Sequence, residues 1–263
     1  MGPPGPLSAP GDLTGNGPAQ ASPERRVALE AAANFRDLGG YRSWDGRAVR
    51  WRRVFRADDL SLLTPSDRAT IRALGIATVI DLRSPPEVEA QRFPVEDIPV
   101  GFHHLPLNAR LPDFEEFAEG PAFYARHYLD LARRSGAQIA QAVTVVADDD
   151  THPVVVHCAA GKDRTGTIVG LALKIVGVTD ELVIADYAAS AERVPQILER
   201  LKSKPAYADN MRGKTVKQQS PSSDTMRLLL DALEARFGGV HGWLETQGWT
   251  REDTERMEHK LLD

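Results

Sequence analysis

The chain predicts an α/β fold: a central, mainly parallel sheet flanked by helices, with a helical C-terminal part. Three observations carry that prediction. Short runs rich in β-branched and aliphatic residues alternate with amphipathic stretches from Val54 onward. The strongest run, Val154-Val155-Val156, leads through a tight loop into the apolar helical pattern of Ile168, Val169, Leu171, Ala172, Ile175 and Val176. After Thr179 the pattern is almost wholly helical. Strands early, helices late and crossover helices between them describe one layered unit, and 263 residues suffice to bury a large core.

Taken in order, residues 1–23 are rich in Gly, Pro, Ser and Ala and are expected to form a flexible tail, because they hold too little apolar surface to offset the entropy of ordering. Residues 24–263 are expected to form the domain. Val54-Phe55 and 77–82 read as strands, with a helix over 65–74 between them capped by Ser66 or Thr64. Another strand is expected over 103–107. Helical patterns cover 114–134 and 136–147, and then comes the Val154 strand. Thr250 starts the last helix, with Asp253 completing a capping-box pattern.

The loop after the Val154 strand reads His157-Cys158-Ala159-Ala160-Gly161-Lys162-Asp163-Arg164-Thr165-Gly166 and holds the only cysteine of the chain. A loop that opens a helix aims its backbone N–H groups at one point, where the helix dipole favours an anion. A thiol held there loses its proton more readily, and the thiolate is the nucleophilic form. Arg164 can grip two phosphate oxygens with its planar fork. The amides of Ala159, Ala160, Gly161, Lys162 and Asp163 would form the cradle, and Lys162 adds positive charge. Thr165 can offer its hydroxyl to the Cys158 sulfur, and His157 is expected to orient the loop through its ring nitrogens. A Walker A loop is excluded, since Asp163 follows Gly161-Lys162 where Ser or Thr is required.

This string resembles the signature of the protein tyrosine phosphatase superfamily, and its Lys162-Asp163 pair is similar to a bacterial branch of it. Three further segments support the resemblance: Asn34-Phe35-Arg36-Asp37-Leu38-Gly39-Gly40-Tyr41, Val79-Ile80-Asp81-Leu82-Arg83-Ser84 and Ala185-Asp186-Tyr187. It covers about residues 27–262 and implies that 24–263 is a phosphatase domain. It implies a phosphorylated protein as substrate, with phosphotyrosine first and phosphoserine and phosphothreonine in some members, or a phosphoinositide. The general acid has three candidates. The resemblance implies Asp163. Asp81, at the carboxyl end of a predicted strand, is second, where open α/β sheets place their ligands; its bland reading is an ion pair with a neighbouring arginine. Asp113 is third, with a helix N-cap as its bland reading. The branch can also carry a helical lid, which the sequence assigns neither to 114–147 nor to the segment around Tyr207.

Composition narrows the class further. A net charge of −5 argues against a nucleic-acid binder. One cysteine excludes an internal disulfide framework and leaves Cys158 no resolving thiol. No apolar stretch reaches the ~18 residues of an integral membrane segment, and no signal-peptide pattern stands at the N-terminus. The expected location is the cytoplasm, or export without a cleaved signal peptide. No metal-ligand spacing and no cofactor motif occur, and the sequence assigns no oligomeric state. Lys202, Lys204, Arg212, Lys214 and Lys217 fall within sixteen residues that contain one acid, Asp209. They could draw in a phosphorylated headgroup, or simply face water. The alternative function is a catalytically silent phosphate-binding module. Arsenate reduction would want further thiols, and sulfur transferases lack the Lys-Asp-Arg-Thr-Gly ending.

Overall fold

The computed structural model describes residues 25–107 and 121–263. The expected tail over 1–23, the acid candidate Asp113 and the start of the 114–134 pattern lie outside the described residues. The elements are β1 (Arg36–Asp37), β2 (Val54–Ala57), α1 (Pro65–Ala73), β3 (Thr78–Asp81), α2 (Pro85–Ala90) and β4 (Gly101–His104), followed by α3 (Pro121–Arg134), α4 (Gly136–Ala147), β5 (Val154–His157) and α5 (Asp163–Ile175). The chain then runs through α6 (Asp180–Ala189), α7 (Val194–Ser203), α8 (Pro205–Met211), α9 (Val216–Gln219), α10 (Ser223–Phe237), α11 (Val240–Glu245) and α12 (Arg251–Leu261).

The five strands order as β1-β2-β5-β3-β4. Only β1 runs antiparallel; β5 pairs in parallel with β2 on one side and β3 on the other. A strand in the middle of a parallel sheet is covered on both faces and so carries apolar residues without a break. Val154 and Val156 join the larger core, formed with the helices α3–α6 and α10–α12, while Val155 points to the opposite core with Phe35, Phe55, Ile71 and Val79. That alternation is the period of two that a strand imposes. The α/β expectation with a helical C-terminal part holds.

Local chemistry places the helix ends. Thr64, not Ser66, caps α1: its hydroxyl accepts from the Asp67 amide at 3.2 Å and the Asp67 carboxylate accepts from the Thr64 amide at 3.0 Å. The same reciprocal box joins Thr250 and Asp253 at the start of α12, as the sequence predicts. The strand expected over 103–107 lies two residues earlier. Pro106 has no N–H to offer a ladder, so regular pairing stops at His104, and only the Leu105 and Leu107 amides reach back to Asp81 and Leu82. Helix α2 was not expected. Pro85-Pro86 reads as punctuation, yet prolines in the first helical turn start a helix when Ser84 and Glu87 form a capping box before them. Among the described residues, no helix is long and apolar enough to cross a membrane.

Candidate active site

Cys158 follows the last residue of β5, the central strand, and the loop 158–162 runs into the N-terminus of α5. Cys158 is buried, as are Ala159 and Lys162. Gly161 turns the loop in the left-handed region, at φ 61°. A Cβ there would stand 2.4 Å from the Ala57 carbonyl oxygen, so both conformation and space require glycine.

The loop's carbonyls are held outward. Asn34 Nδ2 donates to the Ala160 oxygen at 3.2 Å and the Gly161 oxygen at 3.1 Å. Arg56 Nη2 donates to Gly161 O at 2.7 Å, and the Asp59 amide donates to Ala159 O at 3.3 Å. In a trans peptide the N–H points opposite to the C=O. Outward carbonyls at 159, 160 and 161 therefore turn the amides of Ala160, Gly161 and Lys162 inward, toward one anion-sized point.

The holders are themselves fixed. Asp186 on α6 accepts from Arg36 Nε at 3.1 Å, from the Tyr41 hydroxyl at 3.2 Å and from Arg56 Nη1. Burial pushes the Asp186 carboxyl up, but Arg36 and Arg56 outweigh it and hold the group below the usual carboxylate range. Arg36 Nη1 also donates to Asn34 Oδ1. The segments Asn34–Tyr41 and Ala185–Tyr187, singled out by resemblance without roles, meet behind the loop. Arg56 had no signal in the sequence.

Arg164 makes a bidentate pair with Glu87 of α2, at 2.7 and 2.8 Å. Burial would raise the Glu87 carboxyl, but Arg164 brings it down to about 2. Burial disfavours the Arg164 charge, and Glu87 together with the Cys158 sulfur more than restores it. Glu87 is thus a site residue that sequence reasoning missed, because α2 itself was missed.

The acid candidates separate. Asp163 opens α5 with its side chain about one-third exposed, 32%. Its Oδ1 accepts from the Tyr128 hydroxyl, the Tyr187 hydroxyl stands 3.3 Å from the same oxygen, and its Oδ2 lies 3.4 Å from Lys162 Nζ. Asp81, by contrast, is wholly buried and paired with Arg83 at 2.7, 3.0 and 3.1 Å. Burial raises its carboxyl, yet His157 and Arg83 take it down to about 2. A carboxylate so held keeps no proton to give, so the catalytic reading of Asp81 gives way to its ion-pair reading.

Other expectations also shift. Neither His157 ring nitrogen has a hydrogen-bond partner among the described residues, and the nearest carboxylate, Asp81 Oδ2, lies 3.6 Å away. Burial lowers the His157 pKa, against the opposing pull of Asp81 and of the Cys158 backbone. The Thr165 hydroxyl is buried, with no hydrogen-bond partner among the described residues. Lys162 Nζ donates to the Gln219 carbonyl of α9 at 2.6 Å, tying the loop to the helices above it. Lys204 leaves the basic loop altogether: it is buried against Asp59 at 2.5 Å.

Helices α7 and α8 cover the loop. Ile197, Leu201 and Tyr207 pack on Ala159, and the Tyr207 hydroxyl has no hydrogen-bond partner among the described residues. The space left beside Ala160, Lys162, Met211 and Gln219 is about 20 Å³, room for about one water molecule.

A lone cysteine at the end of a central parallel strand, a loop with its amides turned inward and an arginine fork six residues on define the Cys-x5-Arg class of phosphate-handling enzymes. Residues 27–263 match the tyrosine phosphatase family. The triple specificity protein phosphatase PtpB of Mycobacterium tuberculosis is 30% identical over 285 residues, covering 89% of this chain and 98% of that protein. A tyrosine-protein phosphatase of Nostoc commune is 29% identical over 224 residues, covering 78% of this chain and 73% of that protein. The chain belongs to the tyrosine phosphatase family and is a hydrolase of that kind.

Proposed function

We propose that residues 24–263 form one phosphatase domain that hydrolyses phosphotyrosine, and also phosphoserine, phosphothreonine and phosphoinositides, through a phosphocysteine intermediate. The Cys158 thiolate attacks phosphorus, the Sγ–P bond forms and the P–O bond to the leaving group breaks. Asp163 gives its proton to the leaving oxygen. Arg164 and the inward amides of Ala160, Gly161 and Lys162 hold the equatorial oxygens as their charge grows. Water then attacks phosphorus, Asp163 takes its proton back, the S–P bond breaks and inorganic phosphate leaves. The Thr165 hydroxyl donates to the departing sulfur.

One observation carries the reading: outward anchoring of three successive loop carbonyls beside the only cysteine. The triple specificity in the mycobacterial relative's name supports the substrate breadth. Lys202 and Lys217, exposed, and Lys214, half-buried, supply attraction for an anionic headgroup. The test is turnover in EDTA of a phosphotyrosine peptide, a phosphothreonine peptide and phosphatidylinositol 3-phosphate, with Cys158→Ser as blank. Turnover of all three is expected. Turnover of the tyrosine peptide alone removes the breadth, and no turnover restores the binding-module alternative.

A further inference from the structure

Two phenols meet at the proposed acid. Tyr128 on α3 and Tyr187 on α6 are both buried, and their rings stand edge to face with centroids 6.3 Å apart. Their hydroxyls are 2.7 Å from each other. Tyr128 donates to Asp163 Oδ1, and Tyr187 reaches the same oxygen at 3.3 Å. Each phenol has one proton to give. The closer approach of Tyr128 selects the chain Tyr187 O–H to Tyr128 O, then Tyr128 O–H to Asp163 Oδ1. In either order of donation Oδ1 only accepts.

We propose that Tyr128 and Tyr187 are positioning residues for the general acid: they hold Asp163 Oδ1 and so confine the transferable proton to Oδ2, the oxygen on the Lys162 side. The proposal rests on the reading of Asp163 as the acid. Three facts make the clamp fit that task. Asp163 is the first residue of α5, and its side chain is partly exposed where no helical turn precedes it, so something outside its own helix must fix its rotamer. The phenols come from two other helices. Both also remain protonated donors over the whole working range, since burial, with the Asp163 charge beside it, drives each hydroxyl well above its ordinary pKa. A hydrogen bond to Oδ1 suits both the acid and the carboxylate, so the carboxyl can lose and regain its proton without the clamp letting go. Tyr187 is locked in turn: a Cβ on Gly166 would lie 2.8 Å from its ring, so this glycine is what lets the ring lie against α5.

The readout is how kcat depends on the leaving group. General-acid help matters for a poor leaving group and little for a good one. The full-length protein is assayed on phenyl phosphate, p-nitrophenyl phosphate and 2,4-dinitrophenyl phosphate, as wild type, Tyr128→Phe, Tyr187→Phe, Asp163→Asn and the Tyr128→Phe/Asp163→Asn double variant. For Tyr128→Phe, kcat on phenyl phosphate should fall about 10- to 100-fold, as a misplaced proton donor implies, with a much smaller fall on the dinitrophenyl ester. Inhibition by inorganic phosphate should be unchanged. Tyr187→Phe should give a weaker effect in the same direction, and it carries the test if Tyr128→Phe does not fold. The double variant should be no steeper than Asp163→Asn alone. An equal fall on all three esters, or no change in Tyr128→Phe while Asp163→Asn steepens the dependence, overturns the clamp and leaves the acid in place. A flat dependence in Asp163→Asn overturns the acid assignment and the clamp with it.

Discussion

Arg164 carries a fixed charge whose partner in the structure is Glu87. In the closed site both carboxylate oxygens of Glu87 satisfy its fork. A phosphate offers the same bidentate geometry, so the guanidinium is already in the orientation that substrate needs. Replacing Glu87 by Gln removes the counter-charge and leaves a buried cation short of a partner, a change that costs ~3–5 kcal/mol when a buried pair is broken. The variant should melt lower than wild type, and inorganic phosphate should recover more of the loss than it adds to the parent, because the anion stabilises only the folded state. Thermal scans across phosphate concentration check this; parallel titrations would mean that Glu87 does not govern the charge of Arg164. Glu87 was invisible in the sequence because helix α2, in the crossover between the parallel strands β3 and β4, was not expected. Cys158, Gly161 and Arg164 were legible because loop, strand and helix succeed one another along the chain and their chemistry is local.

At the scale of elements, α8 is the cover. Its first-turn neighbour Lys204 is buried on Asp59, whose carboxylate also pairs with Arg83 at 3.0 Å and whose amide donates to Ala159. Burial raises the Asp59 carboxyl, while Arg83 and Lys204 together hold it below its usual range. The cover is therefore fastened to the same residue that supports the loop, and if it gates Cys158 the gate opens where that fastening yields. Lys204→Met removes the tether but leaves Asp59 paired with Arg83. Alkylation of Cys158 by iodoacetamide should then speed up about tenfold, the effect of ~1.4 kcal/mol on the open population; an unchanged rate would place the gate elsewhere. The sequence shows Lys204 only as one of a run of cations, because nothing local tells a lysine that faces water from one that meets an aspartate distant in the chain. Helix ends were easier: the Thr64 and Thr250 boxes close within three residues.

For the whole molecule, the buried carboxylates set the acid limit of stability. Asp81 and Glu87 each lie at about 2 in the folded chain, and Asp59 and Asp186 are lowered as well. Depressed values mean that folding favours the ionised form. Their contribution is complete above the unfolded carboxylate range near ~4 and is lost as pH falls through the folded values, roughly 2–3 kcal/mol each for Asp81 and Glu87. The melting temperature should fall gently from about pH 6 to pH 5, because burial keeps His157 from taking the proton it accepts when unfolded, and drop steeply between about pH 4 and pH 2; equal values at pH 3 and pH 6 would show that these pairs carry no net stability. The α/β architecture was legible in the sequence from the unbroken Val154–Val156 run and the late helices, whereas the ion pairs depend on which strands become neighbours.

That strand order also shapes how the chain comes together. β2 and β3 are made early and in succession, yet they never pair with each other; the slot between them belongs to β5. A growing chain that has not reached Val154 holds two strands whose inner edges have no partner, the state most open to wrong pairing. The strand that closes the gap is the one that leads into Cys158. Completion of the sheet thus waits on the same stretch of chain that carries Cys158, and a truncated product ending before it would carry neither a complete sheet nor the cysteine.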